Sequence, residues 1–133
     1  MTVSPGHAAP EHVRLGAIVP VLRSFDEGKA RAFYCDFLGF EVRWTHRYEP
    51  SLPLYMEVAR GNCTLHLSEH HGDACPGAAL RIECVNLSRF CDHLNARHSG
   101  NARPAVEEKP WGTREMSIID PFGSRLVFTE THS

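Results

Sequence analysis

The chain has 133 residues, 42% of them hydrophobic, which supplies core for one compact domain or two small repeats and is too apolar for disorder. A net charge of -2 without a basic stripe argues against nucleic acid as a partner, and no apolar run approaches the roughly 20 residues that cross a bilayer. The start, MTVSPGHAAPEH, does not read as a signal peptide, and five cysteines without a C-x-x-C pair fit reduced thiols in a cytoplasmic protein better than a disulfide framework.

Residues 1–14, with Pro5, Gly6 and Pro10, read as a flexible N-terminal arm. Ala17–Leu22 is a short strand. Pro20 cannot donate to a ladder, so an edge position or a late start is expected. Ser24 and Glu27 form a capping-box pattern for a helix. Ala30, Phe33, Tyr34 and Phe37 then recur at helical spacing, and Gly39 is placed to end the helix. Phe40–Trp44 predicts a strand, followed by a polar, Pro-marked loop over 46–53. Tyr55–Ala59 and Cys63–Ser68 predict a hairpin around Arg60-Gly61-Asn62. In its second strand Leu65 and Leu67 share one face, and Thr64, His66 and Ser68 the other.

A polar connector over 69–78 precedes a second series. Ala79–Val85 predicts a strand. Leu87, Phe90, Cys91 and Leu94 predict a helix with Gly100 beyond its end. A loop with Pro104 and Pro110 leads to Trp111-Gly112, and Glu115–Ile119 and Arg125–Thr129 close the chain as a hairpin around residues 120–123. Both halves therefore read strand, helix, strand, strand, strand. Residues 64–69 lie over 125–130, with Leu65 on Leu126 and Glu69 on Glu130. An internal duplication follows: one α+β domain over 15–130, with module one at about 15–69 and module two at about 78–130. A unit this small cannot bury both faces of its sheet. Two of them make a curved sheet with helices outside, whose open trough must meet a ligand or a second chain.

Pro20-Val21-Leu22 with the segment Phe33 to Phe40 (FYCDFLGF) resembles the first module of the vicinal oxygen chelate superfamily. Asp120-Pro121-Phe122-Gly123-Ser124 resembles the end of its second module. The segments Pro110 to Glu115 (PWGTRE) and Leu65 to His70 (LHLSEH) resemble the bleomycin resistance protein-like branch. The resemblance implies two tandem βαβββ modules forming a curved mixed sheet trough, the glyoxalase/bleomycin resistance fold. Catalytic members of that superfamily hold a divalent ion on His, Glu or Gln from the first and last strands of each module. Those positions fall here near Val19 or Pro20, at His66, near Leu80 or Arg81, and at Val127, and only His66 carries a donor. The resemblance thus implies no metal, no cofactor and a protein leaning away from catalysis. Glu69, His70, His71 and Asp73 are a rival cluster in the connector, where an exposed polar loop is the simpler reading.

The branch implies non-catalytic binding and sequestration of a flat aromatic antibiotic of bleomycin type, in a groove between two identical chains, giving resistance. Trp111 matches the groove tryptophan, Trp44 and Tyr48 the aromatic clamps, and His46 can line the same groove. His66 lines the trough, and Arg114 can meet a carboxylate or an aromatic ring. Each has a plainer alternative: packing for the rings, a surface ion pair for Arg114. The net charge is only mildly acidic for a holder of a cationic drug. A metal-dependent lyase, isomerase or dioxygenase of the same superfamily is the alternative function, and a scaffold module a third. No G-x-S-x-G, P-loop or H-E-x-x-H pattern is present, and Cys35 and Cys91 sit on apolar helical faces as packing residues.

Overall fold

The computed structural model describes residues 12–97 and 103–131. Residues 1–11 of the expected arm and Gly100, the expected end of the second helix, lie outside the described residues. The first module runs β1 (Val21–Arg23), α1 (Glu27–Ala30, continuing as a π-helical stretch over Arg31–Phe37), β2 (Glu41–His46), β3 (Tyr55–Arg60) and β4 (Cys63–Ser68). The second runs β5 (Ala79–Glu83), α2 (Leu87–Ala96), β6 (Glu107–Glu108), β7 (Thr113–Ile119) and β8 (Arg125–Thr131). No described helix is long and apolar enough to cross a membrane.

Two expectations at the start of the chain are corrected. The first strand covers Val21–Arg23 rather than Ala17–Leu22, since residues 17–19 are exposed and outside any strand. Pairing begins where Pro20 offers its carbonyl to the His66 N–H at 2.9 Å, the one ladder role left to a proline. The helix cap is Asp26, not Ser24: the Asp26 side chain accepts from the Lys29 N–H at 2.8 Å. Ser24 still belongs to the sheet, donating its N–H to the Ser68 carbonyl at 2.9 Å. The helix then widens, the Leu38 N–H closing onto Phe33 O at 2.9 Å, five residues back. This places Phe33, Tyr34 and Phe37 in the core before Gly39, at φ 83°, turns the chain out.

Each module forms one mixed four-stranded sheet, ordered β1-β4-β3-β2 and β5-β8-β7-β6. β1 runs parallel to β4 and β5 parallel to β8, and the remaining neighbours are antiparallel. The duplication reaches the hydrogen bonds. Ser24 N–H to Ser68 O at 2.9 Å recurs as Cys84 N–H to Thr129 O at 2.9 Å, and Ser68 and Thr129 are the residues that the sequence repeat superposes. The repeat order calls for a strand between the second helix and the closing hairpin, but no run of residues marks β6 in the sequence. This strand is two glutamates long and has no apolar alternation to betray it.

Each sheet has a back and a front. On the back, Leu65, Leu67, Met56 and Leu22 of the first sheet and Met116, Ile118, Leu126 and Phe128 of the second are buried in one hydrophobic cluster, closed by residues of both helices. Tyr34 ties the modules together: its hydroxyl donates to Asp120 Oδ2 at 2.6 Å in the interior. The other oxygen of Asp120 accepts the Phe122 and Ser124 N–H groups at 2.8 Å, and Phe25 meets Phe122 edge to face at 6.0 Å. Among the described residues no strand pairing joins the two sheets. Both backs turn to a shared core, so each front faces away from it.

Candidate functional site

The front of the first sheet carries a strip of rings. Between Val42 and Trp44 the β2–β3 register slips by one residue, and this bulge turns Trp44 onto the front, opposite Glu57. The Trp44 indole stacks on Tyr55, with centroids 5.8 Å apart and planes within 7°, and lies edge-on to His66 at 5.2 Å. His46 meets Tyr48 edge to face at 4.7 Å, Tyr48 meets His70 at 6.3 Å, and His70 lies 6.4 Å from Tyr55. Trp44 remains 42% exposed and Tyr48 74%, so part of each ring is open to solvent.

Hydrogen bonds fix the centre of the strip. Tyr55 Oη lies 2.7 Å from His66 Nδ1, and His66 Nε2 lies 2.9 Å from Glu57 Oε1. One tautomer satisfies all three groups: Nε2–H donates to the carboxylate and Nδ1 accepts the phenol proton. Burial, then the nearby charges of Asp73 and Glu57, push the Tyr55 phenol up, so it stays a neutral donor. His70 is brought over the strand end by Ser68, whose Oγ accepts the His70 N–H at 3.0 Å and donates to Asp73 Oδ2 at 2.6 Å. The Arg23 guanidinium donates to the His70 carbonyl from β1.

The second front is polar. Glu115 Oε2 accepts from Arg81 at 2.5 Å, from Thr113 Oγ1 at 3.0 Å and from Trp111 Nε1 at 3.4 Å. The Arg81 hydrogen bond, helped by those from Thr113 and Trp111, holds the Glu115 carboxyl below its ordinary range. Trp111 sits on the turn before β7 and is 66% exposed, with the Lys109 ammonium 5.9 Å from its ring. Arg114 does not join this group. Neighbours along a strand alternate, so Arg114 shares the opposite face of β7 with Met116 and Ile118. There it donates to Glu130 Oε1 at 2.7 Å, and Glu130 Oε2 accepts the Asn86 N–H at 2.7 Å, where α2 begins.

Of the side chains singled out by sequence, the structure thus gathers Trp44, His46, Tyr48 and His66 on the first front. Trp111 lies on the second and Arg114 on a back. Tyr55 and Glu57 were missed, Arg81 was named only at an ion position that lacks a donor, and His70 was noticed only as part of the connector cluster. Pairing Cys63–Ser68 with Tyr55–Ala59 would have placed Glu57 beside His66 and Tyr55 beside Ser68.

The residues at the superfamily's ion positions do not suit a divalent cation. His66 faces Val21 across β1–β4, and Val127 faces Arg81 across β5–β8. Valine offers no donor, a guanidinium repels a cation, and both ring nitrogens of His66 already have partners. Glu69 and Asp73 are engaged elsewhere, Glu69 Oε1 accepting the Leu54 N–H at 3.0 Å. Among the described residues no three His, Cys, Asp or Glu side chains converge on a point.

The family described as "Glyoxalase superfamily protein" matches residues 7–133. The chain belongs to the glyoxalase superfamily. Solved structures agree on the fold. A glyoxalase-related enzyme from Clostridium phytofermentans superposes with a TM-score of 0.72 at 20% identity, covering 91% of this chain and 98% of that one. TnmS3, an antibiotic-binding protein from Streptomyces sp. CB03234, gives a TM-score of 0.71 at 21% identity, covering 91% and 100%. A bleomycin-binding protein complexed with bleomycin gives 0.66 at 24% identity, covering 89% and 100%. Among proteins of curated function, none matches the sequence. This glyoxalase-superfamily chain therefore shares its architecture with binders and with an enzyme, and its chemistry has to be argued from its own side chains.

Proposed function

We propose that the chain binds and sequesters a flat aromatic small molecule of the bleomycin type, without transforming it, in grooves formed by a homodimer in the cytoplasm, and so gives resistance to that compound. The observation that carries this reading is the ring strip of the first front, with Trp44 stacked on Tyr55 and left half open. A stacked ring gains about 0.5–1.5 kcal/mol beyond its buried area. Exposure supports the dimer: Leu15, Ile18, Trp44, Trp111 and Ile119 leave much apolar surface uncovered in one chain. Setting the first front of one chain against the second front of its partner gives a groove with an aromatic wall and a wall built on Glu115 and Arg81. Antibiotic and bleomycin binding by proteins of this fold supports the ligand class.

Titrating the protein with bleomycin while following tryptophan emission tests the ligand, since Trp44 and Trp111 are the two tryptophans of the chain. Saturable quenching at micromolar drug is the expected result, and an unchanged spectrum removes bleomycin. Sedimentation should give twice the chain mass. Elemental analysis of untagged protein tests the metal-dependent alternative, and one equivalent of bound zinc, nickel, manganese or iron would overturn the reading.

A further inference from the structure

A cavity of about 380 Å³ lies away from the ring strip, between the two modules, where β3 turns into β4 and β5 leads into α2. Its volume falls at the lower end of the roughly 300–1,000 Å³ of small-ligand pockets. The walls are apolar: Phe40 from the first module meets Ile82, Phe90 and Phe128 from the second. The polar lining is dominated by cations. Arg60 is held at the mouth, its guanidinium 4.9 Å from the centre of the Phe90 ring and one N–H on the Leu38 carbonyl at 2.7 Å. Arg89 lines the same opening, with Glu83, His93 and the thiols of Cys63 and Cys84 as the other titratable groups. Among the described residues neither Arg60 nor Arg89 has a carboxylate within ion-pair reach.

We propose that this inter-module cavity is a second ligand site, for a small carboxylate with an apolar body, such as an arylalkanoate or a medium-chain alkanoate. The tail lies among the phenyl rings, where burial of apolar surface favours it. The carboxylate meets Arg60 and Arg89, whose planar donor forks match two oxygens. A cationic ligand would set its charge against two guanidiniums. A neutral apolar one would leave their donors unused, and a bare anion would leave the phenyl walls wet. The site is independent of the ring strip and of whatever binds there.

The cavity carries its own reporters. Cys63 and Cys84 both line it, one from each module, while Cys75 is exposed in the connector and lies off the lining. Burial pushes both lining thiols up, so alkylation with iodoacetamide is followed at mildly alkaline pH. The probes are 4-phenylbutyrate and octanoate, with 4-phenylbutanol as the neutral match. Calorimetry should show both acids binding and the alcohol binding at least tenfold more weakly. Alkylation of Cys63 and Cys84 should slow at least threefold in saturating acid, with Cys75 unchanged. Arg89→Glu should weaken the acids at least fivefold, and Trp44→Ala should leave them unaffected. Absence of binding, equal binding of acid and alcohol, or unprotected thiols would each overturn the proposal. So would loss of binding in Trp44→Ala, which moves the acids to the sheet front.

Discussion

The two sheets are the same scaffold with different faces. Their strand order, parallel pairing and closing hydrogen bonds coincide, and their backs are buried in one core. On the fronts the repeat sets unlike residues in equivalent places. Val127 stands where the first sheet has His66, Arg81 where it has Val21, and Ser117 where it has Glu57. Glu115 replaces Tyr55, and Glu107 replaces His46. The contrast separates the residues that specify the fold from those that do not. Apolar alternation on the backs and the ladder bonds specify it, leaving the fronts to diverge into an aromatic surface and a charged one.

The largest effect should come from crossing that division. Leu126 is fully buried on the back of β8, and Leu126→Ala should cost about 2–5 kcal/mol in a denaturant melt. Trp44→Ala on the open front should cost less than about 1 kcal/mol of stability in the same assay. Similar losses for the two variants would mean that the front shares in folding, and the division would fail.

A smaller effect separates the two fronts from each other. If the ring strip is the main aromatic wall, Trp44→Ala should weaken binding of an aromatic ligand by about 2 kcal/mol, roughly 30-fold. Trp111→Ala should cost a few-fold, because its indole is anchored by one long hydrogen bond on an exposed turn. Titration of both variants with bleomycin decides the order. A larger loss at Trp111 would reverse the assignment of the walls.

The same division explains what the sequence alone could reveal. Backs are periodic, so they are legible: the strand Cys63–Ser68 was located to the residue, with Leu65 and Leu67 inward and His66 outward. Arg114 was legible by the same rule, since a residue in step with Met116 and Ile118 belongs to the back. Fronts are set by register and by irregularities. Trp44 reaches the front through a bulge that no alternation announces. Arg81 and Glu115 meet because β5 and β7 flank β8, a neighbourhood that exists once the sheet has formed. Local competition decided the helix start. Ser24 and Asp26 are both good caps, and Ser24 was claimed by its bond to Ser68.

The smallest effect concerns the charged front and acid. Arg81, with Thr113 and Trp111, holds the folded carboxyl of Glu115 below its ordinary value of 4.5. A depressed carboxylate adds stability that is present above that value and lost as pH falls through the folded one. Glu115→Gln removes this dependence while keeping the side chain's shape. The melting temperatures of wild type and Glu115→Gln should therefore differ most near neutral pH and converge as pH falls from 5 to 3. Glu130, held down by Arg114 on the back of the same sheet, titrates in both proteins and so cancels in the difference. The indole adds a local reading. In a Trp44→Phe background Trp111 is the remaining tryptophan, and its emission should shift across the same acid range as Glu115 loosens its hold. With Glu115→Gln added, the shift should vanish. A shift that survives that change would mean that Trp111 answers to a different group, and the charged wall would have to be redrawn without it.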